Sequence, residues 1–197
     1  DLAARQKSAS LKLDFPPQSL RLDPDLRVWR RLETSQLPPI LRQWIAAKSP
    51  QLINVAATPE ATVAVNQLSS RFFETPPQAV SAADLTKALR SKQATLLAGT
   101  HNEVDQALSS AGLPARPATL AGQGSAQVWT VISKDYQLAV ISGKDAPAIN
   151  ALQRGLPHYG GQSWLIFDQG RTTQKGVWPA SVSSIPVALT PSSKDKN

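Results

Sequence analysis

From residue 51 onward, short apolar runs alternate with stretches whose apolar residues recur at helical spacing. The run 52–57 leads into Thr58, Pro59 and Glu60. This combination is typical of a helix N-terminus, because the threonine oxygen accepts a backbone N–H and the proline has none to satisfy. Apolar residues then recur at offsets of four, three and four, which predicts a helix with one buried face. That face consists of Ala61, Val65, Leu68 and Phe72.

The same order of apolar run and helix start occurs twice more. The runs 78–80 and 94–99 are each followed by a capping box, which begins at Ser81 in one case and at Thr100 in the other. Strands that alternate with helices predict a parallel sheet covered on both faces. The later runs 128–133 and 138–142 are close enough to form an antiparallel hairpin. The predicted fold is therefore a three-layer α/β sandwich with a mostly parallel mixed sheet. Its central strands are predicted to include all four of the runs 52–57, 94–99, 128–133 and 138–142.

The pattern also predicts the domain boundaries. After the hairpin we expect a helix from Asp145, a strand over 164–167, a turn at Gly170 and a partner strand that ends near Trp178. Residues 51–190 are assigned to the α/β domain, and 191–197 to a frayed polar tail.

Residues 1–50 read as an extended leader, formed by the end of a preceding β domain and a linker. The alternation in 11–15 and 20–23 predicts edge strands, and Pro38-Pro39 precedes a short helix. We expect the linker to pack through its large apolar residues, which are Val28, Trp29, Leu32 and Trp44.

Composition narrows the class of protein. The chain begins at Asp1 and contains no methionine, so we expect it to be part of a longer protein. No run approaches the ~18 apolar residues of a membrane span, and with no cysteine there is neither a disulfide nor a thiolate metal site. The net charge of +7 is thinly spread; its densest cluster is Arg27, Arg30 and Arg31 around Trp29. Without long runs of like charge, a nucleic-acid partner is not expected.

Candidate ligand-binding residues lie where the predicted strands end, since open parallel sheets bind ligands at that edge. The alternative for His101 is an ordinary solvated histidine, because a lone imidazole without a partner acid or nucleophile defines no reaction. The candidates are Thr58, Ser81, Thr100, His101 and Lys144.

The recognised catalytic motifs are missing. The two histidines, His101 and His158, are far apart and do not form an H-E-x-x-H pair, so a zinc site within this chain is not expected. No glycine-rich phosphate loop follows a strand, and there is no G-x-S-x-G elbow. We therefore assign no catalytic residue, no metal ligand and no cofactor to this chain.

The segment 156–167 is rich in aromatic residues and glycine. It has two interpretations: a rigid helix-to-strand corner packed by aromatic rings, or a contact surface for another domain. In the second interpretation His158 and Tyr159 would join Trp29 and Trp44 as interdomain contacts.

This segment reads Leu-Pro-His-Tyr-Gly before its strand, and the run Lys175-Gly176-Val177-Trp178-Pro179 follows it. Together they resemble the C-terminal region of certain bacterial members of the aminopeptidase N family of zinc peptidases. The leader is similar to the exit of that family's β-sandwich domain in residues 22–26, 30–32 and 37–39. The resemblance implies that zinc and the peptidase site belong to upstream domains of the same chain. It also implies a protein exported to the periplasm or associated with the cell envelope.

Two functions from different classes follow. The first is a non-catalytic accessory or interaction domain of an aminopeptidase N-like metallopeptidase. The second is a small-ligand-binding α/β domain of flavodoxin-like type, with its site at the carboxyl edge of the strands. A deep pocket with convergent polar groups at that edge would favour the second function.

Overall fold

The structure is a computed structural model that describes residues 12–20, 27, 37–131, 133–179 and 185–186. The chain divides into two compact units, Leu37–Ala180 and a smaller unit formed by 1–36 with 181–197. In the smaller unit, strand β1 (Ser19–Leu20) pairs antiparallel with strand β9 (Ile185–Pro186).

The larger unit is built on one seven-stranded mixed sheet. Its strands are β2 (Gln51–Asn54), β3 (Gln78–Val80), β4 (Ala94–Thr100), β5 (Ala126–Val131), β6 (Gln137–Gly143), β7 (Trp164–Asp168) and β8 (Arg171–Gly176). Their order is β3-β2-β4-β6-β5-β7-β8. The first four in that order are mutually parallel, whereas β5 runs antiparallel to both β6 and β7, and β8 antiparallel to β7. The predicted central position of β4, β5 and β6 is confirmed.

Helices cover both faces, as a three-layer sandwich requires. They are α1 (Arg42–Ile45), α2 (Pro59–Phe72), α3 (Leu85–Arg90), α4 (His101–Ser110) and α5 (Ala146–Gly155), with 3-10 turns at Ala82–Asp84 and Leu156–Tyr159. One core cluster joins α1, α2 and α5 to one sheet face, and a second joins α3 and α4 to the other. Each cluster takes alternate residues of the same strand: Leu96 belongs to the first and Leu97 to the second.

Local sequence signals account for the helix ends. Thr58 accepts the N–H of Ala61 at the start of α2, and Asp145 accepts the N–H of Ala148 at the start of α5. Helix α4 has the full capping box between Thr100 and Glu103. The predicted buried face of α2 is confirmed, since all four of its residues are buried.

The secondary structure of the smaller unit differs from the prediction. The predicted strand over 11–15 is wrong for 12–15, which are irregular; Leu13 and Phe15 are exposed there. Alternation yields a strand only where a neighbour supplies the ladder of hydrogen bonds, and Pro16-Pro17 contributes no N–H donors to one. Of the second predicted strand, residue 20 lies in β1 and 21–23 lie outside the described residues, as do Val28, Trp29, Leu32 and the tail 191–197.

The compact unit begins at Leu37 rather than at residue 51. Trp44, which we expected to contact another domain, is instead 1% exposed, and its indole N–H donates to the carbonyl of Thr95 in β4 at 3.0 Å. Burial of this ring against the sheet fixes α1 as part of the α/β core. The interdomain assignment of Trp44 is therefore corrected.

Candidate functional site

The usual ligand crevice of a doubly wound sheet is closed by a glutamate. The chain leaves β2 toward β3 on one side and later adds β4 on the other, so the topological switch point lies between β2 and β4. There the Glu103 carboxylate accepts the backbone N–H of Ala57 at 2.7 Å and the N–H and hydroxyl of Thr100 at 2.9 and 2.6 Å. A protein carboxylate thus takes the hydrogen bonds that a bound anion would otherwise receive.

Hydrogen bonding keeps this glutamate ionised. Partial burial raises the pKa of Glu103, but the hydrogen bonds from Thr100 and from the backbone N–H of Ala57 outweigh burial and hold the pKa below its ordinary value. The negative charge also lies at the N-terminus of α4, where the helix dipole stabilises it.

A cleft of about 820 Å³ opens further along the same edge of the sheet. It lies between α4, the 111–125 loop that joins α4 to β5, and the segment that follows β6. Its volume is within the range of small-molecule sites. The lining residues are His101, Asp105, Ser109, Gly112, Leu113, Ala115, Arg116, Ala121, Gly122, Gly124, Gln127 and Lys144.

Arg116 fastens the 111–125 loop to the rest of the domain. Its side chain is only 9% exposed, and the guanidinium carbon lies 4.8 Å from the centroid of the Trp129 ring. All five N–H groups have protein acceptors: both oxygens of Asp105, the carbonyl oxygen of His101, Oε1 of Gln127 and Oγ of Ser142. With every donor engaged, Arg116 shapes the wall of the cleft but has no N–H left for a ligand.

Gln127 fastens the loop a second time. This buried side chain donates from Nε2 to the carbonyl oxygens of Leu120 and Gln123, both at 2.6 Å. Leu120 itself is fully buried in the second core cluster. The loop is therefore held by polar bonds at 116 and 127 and by apolar packing at 120.

His101 is joined to this network through Ser142. His101 Nδ1 lies 2.9 Å from Ser142 Oγ. Oγ also accepts an N–H from Arg116 and keeps its own proton to donate, so it can bond either tautomer of a neutral imidazole; where it donates to Nδ1, the ring proton lies on Nε2. Burial and the charge of Arg116 lower the pKa of His101, against smaller opposing effects of Asp105 and Asp145. The imidazole is accordingly neutral at pH 7.

A serine and a histidine in hydrogen-bond contact resemble half of a hydrolase triad, but the surroundings oppose that chemistry. Ser142 is fully buried and does not line the cleft. Its oxygen is bound by the cation of Arg116, and a nucleophile needs a base to receive its proton and access to the substrate. The pair therefore orients the imidazole of His101.

The structure brings together only some of the predicted ligand residues. His101 and Lys144 line the cleft. Thr100 and Thr58 act as helix caps, and Ser81 accepts the N–H of Ala83 at the start of a 3-10 turn. These three residues do not line the cleft.

Of the predicted interdomain contacts, His158 is exposed and Tyr159 is half-buried. The Tyr159 ring packs edge-on to Phe167 with centroids 6.0 Å apart, and the Lys175 ammonium lies 5.4 Å from its centroid. The aromatic corner is therefore present, while a contact with another domain stays a prediction. Trp29 lies outside the described residues.

Sequence reasoning missed the centre of the polar network, which consists of Asp105, Arg116, Gln127 and Ser142. One signal was available: Gln127 and Ser142 are polar residues within largely apolar strands, and a buried polar side chain requires a partner. A second signal was Arg116 itself, a lone cation in a loop between Pro114 and Pro117.

In the part of the chain that the structure describes, no cluster of three or more His, Cys, Asp or Glu side chains is arranged to hold a metal ion. No helix there is both long and apolar enough to cross a membrane.

No protein-family model matches the chain, and no curated protein sequence matches it.

Proposed function

We propose that this chain is a non-catalytic α/β domain that binds a small ligand in the cleft between α4, the 111–125 loop and the end of β6. The observation that carries the proposal is the convergence of polar side chains from α4, the loop, β5 and the segment after β6 on one cleft of about 820 Å³. Sites of this kind combine a concave, partly apolar wall with a few fixed polar groups.

The wall is fixed before any ligand arrives. Arg116 and Gln127 tie the loop to α4 and to the sheet, so binding does not have to order the loop. A binding surface that is already ordered avoids an entropic cost of association. This supports a binding role for the cleft over an incidental gap between loops.

The proposal is tested by nuclear magnetic resonance on 15N-labelled protein with a fragment library of anionic, neutral and cationic compounds. Binding in the cleft should shift the amide signals of Gly112, Gly122 and Gly124, which line it. Gly161, in the turn before β7, serves as the internal control and should not move. A library that produces no shifts, or shifts centred elsewhere, would refute the proposal.

A second candidate is the accessory domain of an aminopeptidase N-like zinc peptidase, in which the ligand cleft would be a regulatory or targeting site. It is supported by exposed apolar side chains in the smaller unit, where Leu13 is 46% and Phe15 64% exposed. The coding sequence upstream of Asp1 provides the test. An H-E-x-x-H helix there would support this parent, and an upstream region without a zinc-ligand pattern would defeat it.

A further inference from the structure

We propose that the ligand of this cleft is a small organic anion, whose carboxylate or phosphate group is held by the ammonium of Lys144 and the Nε2–H of His101. The inference rests on the proposed binding function and names the chemical class of the ligand. Some polar groups of the cleft already have hydrogen-bond or ion-pair partners within the protein, and the inference follows from those that do not.

The charged side chains that line the cleft do not fully compensate one another. Arg116 and Asp105 form an ion pair through both carboxylate oxygens, with the shorter contact at 2.8 Å, so their charges compensate each other. Lys144 is exposed, lines the cleft and makes no ion pair with any described residue. Its backbone N–H donates to the carbonyl of Ser125 at 2.8 Å, which fixes where the side chain starts. The uncompensated charge of the cleft is therefore positive.

His101 and Lys144 have nitrogen atoms that no described residue occupies. The Ser142 hydroxyl bonds Nδ1 of His101, and Nε2 bonds to none of the described residues; in the tautomer in which Ser142 donates to Nδ1, the ring proton lies on Nε2 and faces no protein acceptor. Lys144 adds three N–H donors and no acceptor. Together these two residues favour a ligand group that is rich in acceptors, and carboxylate and phosphate are the common anionic groups of that kind.

The two nearest acidic residues in the chain are engaged elsewhere. Asp145 follows Lys144 directly, but its carboxylate caps α5 by accepting the N–H of Ala148 at 2.9 Å, and it does not line the cleft. Glu103 is committed to the closed crevice at Ala57 and Thr100. Among the described residues, neither carboxylate forms an ion pair with the Lys144 ammonium.

The rest of the cleft wall faces the uncharged part of the ligand. Apart from Ser109, this remaining wall is formed, among the described residues, by glycines and aliphatic side chains, with no Phe, Tyr or Trp ring. Such a wall provides a smooth surface for a compact carbon skeleton. The residues are Gly112, Leu113, Ala115, Ala121, Gly122 and Gly124.

The experiment uses one-ring probes that differ in charge: the anions benzoate and phenyl phosphate, the neutral benzamide and the cation benzylamine. Affinities for the 15N-labelled chain are measured from titrations of the cleft amides. The two anions should bind at least about tenfold more tightly than benzamide and benzylamine, since a hydrogen bond to a charged group is worth about 1.5–3 kcal/mol. Tighter binding of benzoate indicates a carboxylate ligand, and tighter binding of phenyl phosphate indicates a phosphate ligand.

The variants test the role of Lys144. Lys144→Ala should weaken binding of the preferred anion about tenfold, and the affinity of Lys144→Arg should stay within about threefold of that of the unmodified chain. Outside the cleft, the amide spectrum of both variants should match that of the unmodified chain. Lys134→Ala is the matched control, because Lys134 is an exposed lysine in the β5–β6 turn at the other end of β6. It should leave affinity unchanged.

The outcomes separate this inference from the function on which it rests. Binding of benzamide or benzylamine in the cleft as tight as that of the anions, or an unchanged anion affinity in Lys144→Ala, would overturn the inference and leave a ligand-binding cleft. If the four probes fail while a neutral or cationic library compound binds there, the anion class is wrong. If no compound shifts the cleft amides, both proposals fall.

Discussion

Replacement of Arg116 by alanine tests whether one side chain holds the 111–125 loop in place. The change removes five hydrogen bonds at once and leaves Gln127 Oε1 and Ser142 Oγ without their guanidinium donor. Both of these residues are at least 98% buried, so water does not readily replace the donor. The Asp105 side chain is 48% exposed and becomes hydrated instead, so its ion pair adds little.

The magnitude follows from those two buried acceptors. A hydrogen bond to a charged group contributes about 1.5–3 kcal/mol, and Ser142 keeps a second partner in His101, so its loss falls below that range. We expect Arg116→Ala to lower the free energy of unfolding by about 3 kcal/mol, which corresponds to roughly 10 °C in Tm for a domain of this size. Arg116→Lys, which keeps the charge but loses the planar fork, should lose about 2 kcal/mol.

Urea unfolding followed by circular dichroism measures the loss. Arg171→Ala is the control, because Arg171 is exposed on the edge strand β8, and it should change stability by less than about 0.5 kcal/mol. Hydrogen exchange provides a local readout: the N–H groups of Leu120 and Gln123, both bonded within the loop, should lose protection in Arg116→Ala. A stability loss below about 1 kcal/mol would show that the loop does not depend on this residue.

Two further predictions concern Glu103 and the glycines. Because the pKa of Glu103 is lowered in the folded chain, its stabilising effect should be present above its unfolded pKa and lost as pH falls through the folded pKa. The stability difference between the unmodified chain and Glu103→Gln, measured by urea unfolding, should therefore shrink on acidification; a constant difference would contradict the pKa shift. Gly143→Ala should destabilise by about 1–3 kcal/mol, because the new Cβ would lie 2.6 Å from Cγ1 of Ile149. Gly161→Ala, whose Cβ would meet nothing within 4 Å, should be nearly neutral when the two variants are compared by thermal melts, and equal losses in both would refute the steric argument.

Much of the fold was predictable because its signals are local. Helix α2 is specified by Thr58, Pro59 and the spacing of four apolar residues, all within fifteen positions. The antiparallel hairpin is specified by the short distance between two apolar runs. Trp44 was misassigned because its burial depends on a partner in β4 that lies 51 residues further along the chain.

The candidate site was only half predictable for the same reason. His101 and Lys144 could be located because residues at the ends of parallel strands share one edge. The network that shapes the cleft joins α4, the loop, β5 and β6, and no local pattern links Arg116 to Gln127 and Ser142. What the sequence does display is a few polar residues within largely apolar strands, and each such residue, if buried, requires a partner that the local pattern does not identify.

The antiparallel pair β5–β6 at the centre of the sheet also bears on how the chain folds. These strands are joined by residues 132–136 alone, whereas β4 reaches β6 only across a crossover that contains α4 and β5. Hairpins close in about 1–10 μs, and pairings between distant segments must first overcome a larger loss of chain entropy. The hairpin should therefore form early and offer two ready edges, one to β4 and one to β7. In stopped-flow experiments, Val128→Ala in β5 should accordingly slow refolding more than an equally destabilising Leu165→Ala in β7, which should act mainly by speeding unfolding.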